Sequence, residues 1–341
     1  MREADRLAGR SDWDGLIALR DACLEATEET GRQLWGPARY AAYRVALDGP
    51  AAFAAAMVEP GVVRFGLGPL TEVVAQHHTF AELAPHLDAS VLPVVAQERV
   101  LRGEDLRGDP RAAGAPDDPP LVLQPFEPAY VLPDYRPTER LDGAVPEPVL
   151  IGTIDVAAPS VIVTGTSALV RALEDVVAPW TAQSSGEVTV RAVRGGTDAA
   201  VRALLDAHVD AVPSGPVTTP QLLALIAHAG ASGGVHGRRR GGAAGRSLAW
   251  WVARCATGLD RVDVLDAEEL EFRLEDVGRL AFRLPGEAAW RLEIALGGTG
   301  ADGGGGADGE WSVAIAAFDH TEGSTEGGTE DSTTEGGEAH R

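Results

Sequence analysis

Eleven of the chain's 22 prolines fall between Pro110 and Pro159. Each one fixes φ and removes a backbone donor, so this stretch can be neither a regular helix nor a central strand. It therefore separates two regions able to fold, in a sequence of 341 residues whose 45% apolar content can fill about two cores. A flexible tether is not expected, because Leu121, Val122, Leu123, Phe126, Tyr130, Val131, Leu132 and Tyr135 would then stand in water. Residues 108–159 are expected to form an extended segment strapped across one or both neighbours, with only Arg111 to Pro119 loose.

Residues 1–107 read as helix after helix. S-D-W-D at Ser11 to Asp14 resembles a capping box ahead of a helix whose Leu16, Leu19, Cys23 and Leu24 share one face. Pro37 suits a first turn, Asp48 to Pro50 ends that helix, Thr79 to Glu82 starts another, and the run from Ser90 to Arg102 closes at Gly103. An irregular bundle or a solenoid-like stack is expected, without a fixed repeat period. Beyond the prolines both periods occur. Val161 to Thr166 and Val188 to Val193 read as strands, each followed by a helical run (Ser167 to Val177, Thr197 to His208). Helices follow from Pro220, from about Gly237 and from Asp266, and three strands close the region: R-L-A-F-R-L, Trp290 to Leu296 and Glu310 to Phe318. The expected class is α+β: an all-helical domain (1–107), the proline-rich strap (108–159), an α+β domain ending in an antiparallel sheet (160–320) and a tail (321–341).

Six acids against one arginine make that Thr/Glu/Gly tail acidic, and its low hydrophobicity predicts disorder. The formal charge of −22 disfavours nucleic acid, whose binding depends on clustered cations. Lys and Asn are absent, as expected of a high-GC genome, although the acidity would also suit a salt-rich cytoplasm. No apolar run is long enough for a membrane span, and the start M-R-E-A-D-R-L-A lacks the apolar core of a signal peptide, so a cytoplasmic location is expected. Cys23 and Cys255 are too few and too far apart for a disulfide framework or a zinc site.

The stretch G-A-S-G-G-V-H-G-R-R-R-G-G-A-A-G-R-S, Gly230 to Ser247, looks like a phosphate loop. R-G-G-A-A-G-R-S nevertheless lacks the first glycine and the lysine of a P-loop, and no dinucleotide glycine pattern occurs. Read at helical period, Gly237, Gly241 and Gly245 continue the apolar face of Leu248, Val252, Cys255 and Leu259. Arg239, Arg246 and Trp250 then fall on the outer face, where they could meet an acidic partner. His77 and His78, with Glu72 and Glu82 nearby, suggest a metal or a base, but H-E-x-x-H is missing, and a helix end with one buried and one exposed histidine fits better. D-A-H-V-D at Asp206 to Asp210 reads as a helix end, Ser167 as an N-cap, and there is no nucleophile elbow.

W-G-P-A-R-Y-A-A-Y-R-V-A-L, G-L-G-P-L-T-E-V, Q-E-R-V-L-R-G-E-D-L, L-Q-P-F-E-P-A-Y-V-L-P-D-Y-R and H-G-R-R-R-G-G-A-A-G-R with the following A-W-W resemble a family of uncharacterised proteins from high-GC actinobacteria. That resemblance implies no activity and no functional residues. With no complete catalytic motif and no cofactor signature, the leading expectation is a non-enzymatic interaction or adaptor protein with a protein partner or self-association. The alternative is an enzyme or small-ligand-binding protein with its site between the two domains, using Glu72, His77, His78, Glu98 or Arg99 with Arg246.

Overall fold

A computed structural model describes residues 1–58, 67–115, 118–155, 161–162, 167–205, 209, 211–298 and 311–320. The acidic tail, residues 299–310 between the last two strands and most of D-A-H-V-D lie outside these residues. The class is α+β, as the two hydrophobic periods imply.

Among the described residues, seven helices form the first body: α1 (Arg2–Ala8), α2 (Trp13–Thr30), α3 (Trp35–Asp48), α4 (Ala51–Ala56), α5 (Leu70–His77), α6 (Phe80–Leu83) and α7 (Leu92–Leu101). Their local signals act as ordinary peptide chemistry dictates. Thr79 and Glu82 form a complete capping box on α6. At α2 the expectation is corrected by one residue: Asp12 caps the helix by accepting from the Gly15 N–H, and Ser11 sits at a positive φ of 55°. Leu16, Ala41, Val45, Val73, Phe80 and Val95 belong to a core shared by these helices.

The proline-rich segment crosses both bodies. Leu121, Leu123 and Tyr135 pack with the helical core, whereas Phe126, Tyr130 and Leu150 pack with the core of the second body. Two short strands, β1 (Asp134–Tyr135) and β2 (Arg140–Leu141), pair within it. Its last stretch is not strap at all: β3 (Gly152–Asp155) is the first strand of the large sheet. Proline-free from Val149 to Ala158, it can pair along its length.

That sheet continues through β4 (Val161–Ile162), β5 (Glu187–Arg194), β6 (Ala211–Pro216), β7 (Gly278–Phe282), β8 (Trp290–Gly298) and β9 (Trp311–Asp319). The spatial order is β3-β6-β7-β8-β9-β5-β4, every neighbour antiparallel. Alternation decides which face each side chain joins. Leu292, Ile294, Leu296, Val313 and Ile315 face α8 (Ala168–Gln183), α10 (Thr219–Ala231) and α11 (Gly242–Thr257). Ala295, Ala314 and Ala316 pack on the other face with Ala200 and Val201 of α9 (Thr197–Arg202). The last helix, α12 (Ala267–Glu275), packs on α11. Three helix expectations change: α8 runs past Val177 to Gln183 with Pro179 inside it, α9 ends at Arg202, and α11 begins at Gly242 rather than near Gly237. No helix among the described residues is long and apolar enough to cross a membrane.

Candidate functional site

The two bodies meet where α11 begins, and the cause is charge. Gly241 caps the helix at φ 101°, a conformation that suits glycine, and leaves the first amides of α11 pointing at the helical body. Two buried carboxylates receive them. The Gly242 N–H donates to Glu72 Oε1 at 3.2 Å and the Ala243 N–H donates to Glu98 Oε1 at 2.8 Å. Such amides, at the positive end of the helix dipole, favour anions. Arg239 adds a bidentate fork to Glu72, both contacts 2.8 Å, while Tyr135 donates its hydroxyl to Glu72 at 2.6 Å. Arg102 donates to Glu98 Oε2 at 3.1 Å and to the Glu72 carbonyl at 3.2 Å.

The neighbours titrate in opposite directions. Burial raises both, but the Arg239 guanidinium, with help from Tyr135 and Arg102, holds Glu72 below the usual carboxylate range. Burial and the Glu72 charge push Glu98 up to about 7, against Arg102 and the Ala243 amide. A carboxyl raised in the folded state stabilises the fold fully below its unfolded value, and that contribution is lost as pH rises through the folded one. Glu98→Gln is therefore expected to flatten the fall in stability between about pH 4.5 and 7. Urea midpoints across that range, wild type against variant, provide the check; parallel profiles would place the titration elsewhere.

A second buried pair lies further along α11. Arg246 donates from Nε and Nη2 to the two oxygens of Glu127 at 2.8 and 2.7 Å. Its remaining N–H groups reach Gln97 Oε1 and the carbonyls of Pro120 and Val122, so the whole guanidinium is satisfied. Glu127 also accepts from Trp250 Nε1 at 3.0 Å, from the Tyr130 hydroxyl at 2.6 Å and from the Gln124 amide at 2.9 Å. Both charged side chains are fully buried.

This overturns the outer-face reading of Arg239, Arg246 and Trp250. Residues 237–241 do not extend the helix, so Arg239 owes nothing to helical phase, and Arg246 and Trp250 face the proline-rich strap instead of water. Nearly the whole circumference of α11 is buried, which a one-sided amphipathic reading cannot anticipate. Of the candidates named from sequence, Glu72, Glu98 and Arg239 come together, and Arg246 and Trp250 form the neighbouring group. His77, His78 and Arg99 join neither: His77 is exposed beside Gln76, His78 contacts the Gly49 carbonyl at 3.0 Å, and Arg99 pairs with Glu104 and the Ala75 carbonyl. Glu127, Tyr130, Tyr135, Gln97 and Arg102 were missed; an acid enclosed by Q-P-F-E-P-A-Y-V-L was the one available signal.

Chemically, this seam is occupied by its own groups. Beside Arg239, Gly242 and His228 the hollow measures about 20 Å³, room for about one water. The open chemistry lies on the surface. Leu141, Val145, Val149 and Ile151 are exposed apolar side chains along one stretch of chain, Ile151 at 77%, and that stretch runs into β3. β3 is an edge: it pairs with β6, and nothing among the described residues pairs with its other side.

The chain belongs to a family of unknown function (DUF6183), whose model matches residues 1–295. No curated protein and no solved structure matches it.

Proposed function

We propose that this member of the family is a cytoplasmic adaptor from a high-GC actinobacterium, without catalysis of its own, that takes an extended segment of a partner protein onto the edge of β3. The observation carrying this reading is the open edge itself, continued by exposed Val145, Val149 and Ile151. An unpaired strand edge offers a row of backbone donors and acceptors, and apolar side chains beside it add affinity through alternate pockets. Proteins without a partner usually blunt such an edge with lysine, proline or a bulge, and Gly152 to Asp155 carries neither lysine nor proline; its one charge, Asp155, stands at the strand's end. The seam supports the reading from the other direction, because its carboxylates and arginines are spent on holding the two bodies together.

The test compares native wild-type protein with an Ile151→Asp, Thr153→Lys variant of unchanged thermal stability. Wild type should retain a stoichiometric partner that the variant releases. Equal retention by both, or no partner at all, overturns the proposal; concentration-dependent dimerisation of wild type alone would assign the edge to a second copy instead.

A further inference from the structure

β7 and β8 pair only from Gly278↔Gly297 to Ala281↔Ile294, yet β8 runs on to Trp290 alongside β9. The hairpin therefore opens at one end. A cavity of about 150 Å³ occupies the opening, lined by Glu293, Trp290 and His228 and by Pro146 and Pro148 of the strap. That volume accommodates a single six-membered ring.

Its polar groups are unequally satisfied. Glu293 Oε1 accepts from the Leu284 amide at 2.6 Å, whereas Oε2 has only long contacts, 3.4 Å to Arg291 Nη1 and 3.4 Å to Arg283 Nε. Arg291 directs Nη1 to Glu293 and the Leu284 carbonyl and Nη2 to the Gly286 carbonyl, with its guanidinium over the Phe318 ring. Arg283 is different: its terminal nitrogens make no hydrogen bond among the described residues, and its side chain is 41% exposed. The His228 ring stacks on Trp290, centroids 5.0 Å apart and 20° between planes, and its buried Nε2 has no partner among the described residues. Burial and the Arg239 charge hold His228 down at about 4, so at neutral pH its ring is uncharged and Nε2 can accept or donate. Buried groups left in this state call for a partner.

We propose that this opening binds a pyrimidine-sized planar lactam, a ring carrying an N–H beside a C=O. The N–H donates to Glu293 Oε2, the carbonyl accepts from the free nitrogens of Arg283, and the ring lies against the stacked pair of Trp290 and His228 that lines the cavity. A carboxylate ligand fits less well, because it would set a second anion beside buried Glu293, with exposed Glu147 also lining the cavity. The adaptor reading stands on β3 and this one on the β7–β8 opening; they share Val145, which lines the cavity, but the test variants of each lie outside the other's site.

Titration of the full chain with uracil, followed by ligand-observed NMR, tests it. Uracil should bind saturably with a Kd on the order of 0.1 mM, and 1,3-dimethyluracil, which keeps the ring and carbonyls but lacks N–H donors, at least about tenfold more weakly. Benzoate should also bind at least about tenfold more weakly. Arg283→Gln, at a half-exposed position, should weaken uracil about tenfold with thermal unfolding as the check that it still folds, and His228→Phe, which keeps the stack, should weaken it as well. No saturable uracil binding up to about 10 mM, equal binding of the dimethyl compound, or unchanged affinity in Arg283→Gln overturns the assignment; tighter binding of benzoate would make the site an anion site instead.

Discussion

Arg246→Ala is expected to cost about 3–5 kcal/mol of folding stability, because it strands a buried carboxylate. Glu127 would keep its charge among apolar walls with only Tyr130, Trp250 and the Gln124 amide for company. Gln97 and the carbonyls of Pro120 and Val122 would lose their donors too. Arg246→Lys should recover little, since one ammonium cannot reproduce a fork that serves four residues. The decisive arm is the pair Arg246→Met with Glu127→Leu. Removing both charges leaves nothing stranded, so most of the loss should return, as replacement of a buried ion pair by packed apolar groups permits. Urea unfolding of the three variants gives the comparison. A single-variant loss under about 1 kcal/mol would mean that water reaches the pair and that the network does not form.

The consequence reaches past stability. Gln97 comes from α7, Glu127 from the strap and Arg246 from α11, so one guanidinium ties both bodies to the segment between them. The strap is folded structure for that reason, and its residues Val145 to Pro148 also line the β7–β8 opening.

How much of this could be read from residues alone depends on how local each cause is. Thr79 and Glu82, Ser167 and Asp266 act within three residues, so their caps are visible in the sequence and present in the fold. The alternation of Trp290 to Leu296 and of Trp311 to Phe318 is as local, and it yields adjacent strands in register. Arg246 shows the opposite case. Its partner Glu127 lies 119 residues away, and only the docked strap turns an apparently exposed arginine into the centre of a core. Glu72 and Arg239, 167 residues apart, are coupled in the same way. The glycines misled for a further reason: three with one spacing suggest one helix face, yet each has a different neighbour. Gly237 abuts Gly233 in a loop, Gly241 faces Glu98 and Pro69 at positive φ, and only Gly245 is a helix-packing glycine.

Gly245→Ala should therefore invert the ordinary rule. Inside a helix, alanine is normally better than glycine by about 0.8–1 kcal/mol, through backbone entropy. At Gly245 a Cβ would stand 2.2 Å from the Ala227 carbonyl oxygen and 3.0 Å from the Ala231 Cβ, both on α10. Neither neighbour can swing aside, since one is backbone and the other has no rotatable side chain. The helices must part, and α10 and α11 carry much of the core above the sheet. A net loss of about 1–3 kcal/mol is expected, the usual scale of overpacking. Gly36, in α3 with nothing within 4 Å of its would-be Cβ, supplies the control: Gly36→Ala should be neutral or slightly stabilising. Gly241→Leu should be worse than either, because it adds a left-handed φ of 101° to contacts of 3.0 Å with Glu98 and 3.1 Å with Pro69. Thermal unfolding ranks the three variants. If Gly245→Ala matches Gly36→Ala, the two helices do not touch at this glycine.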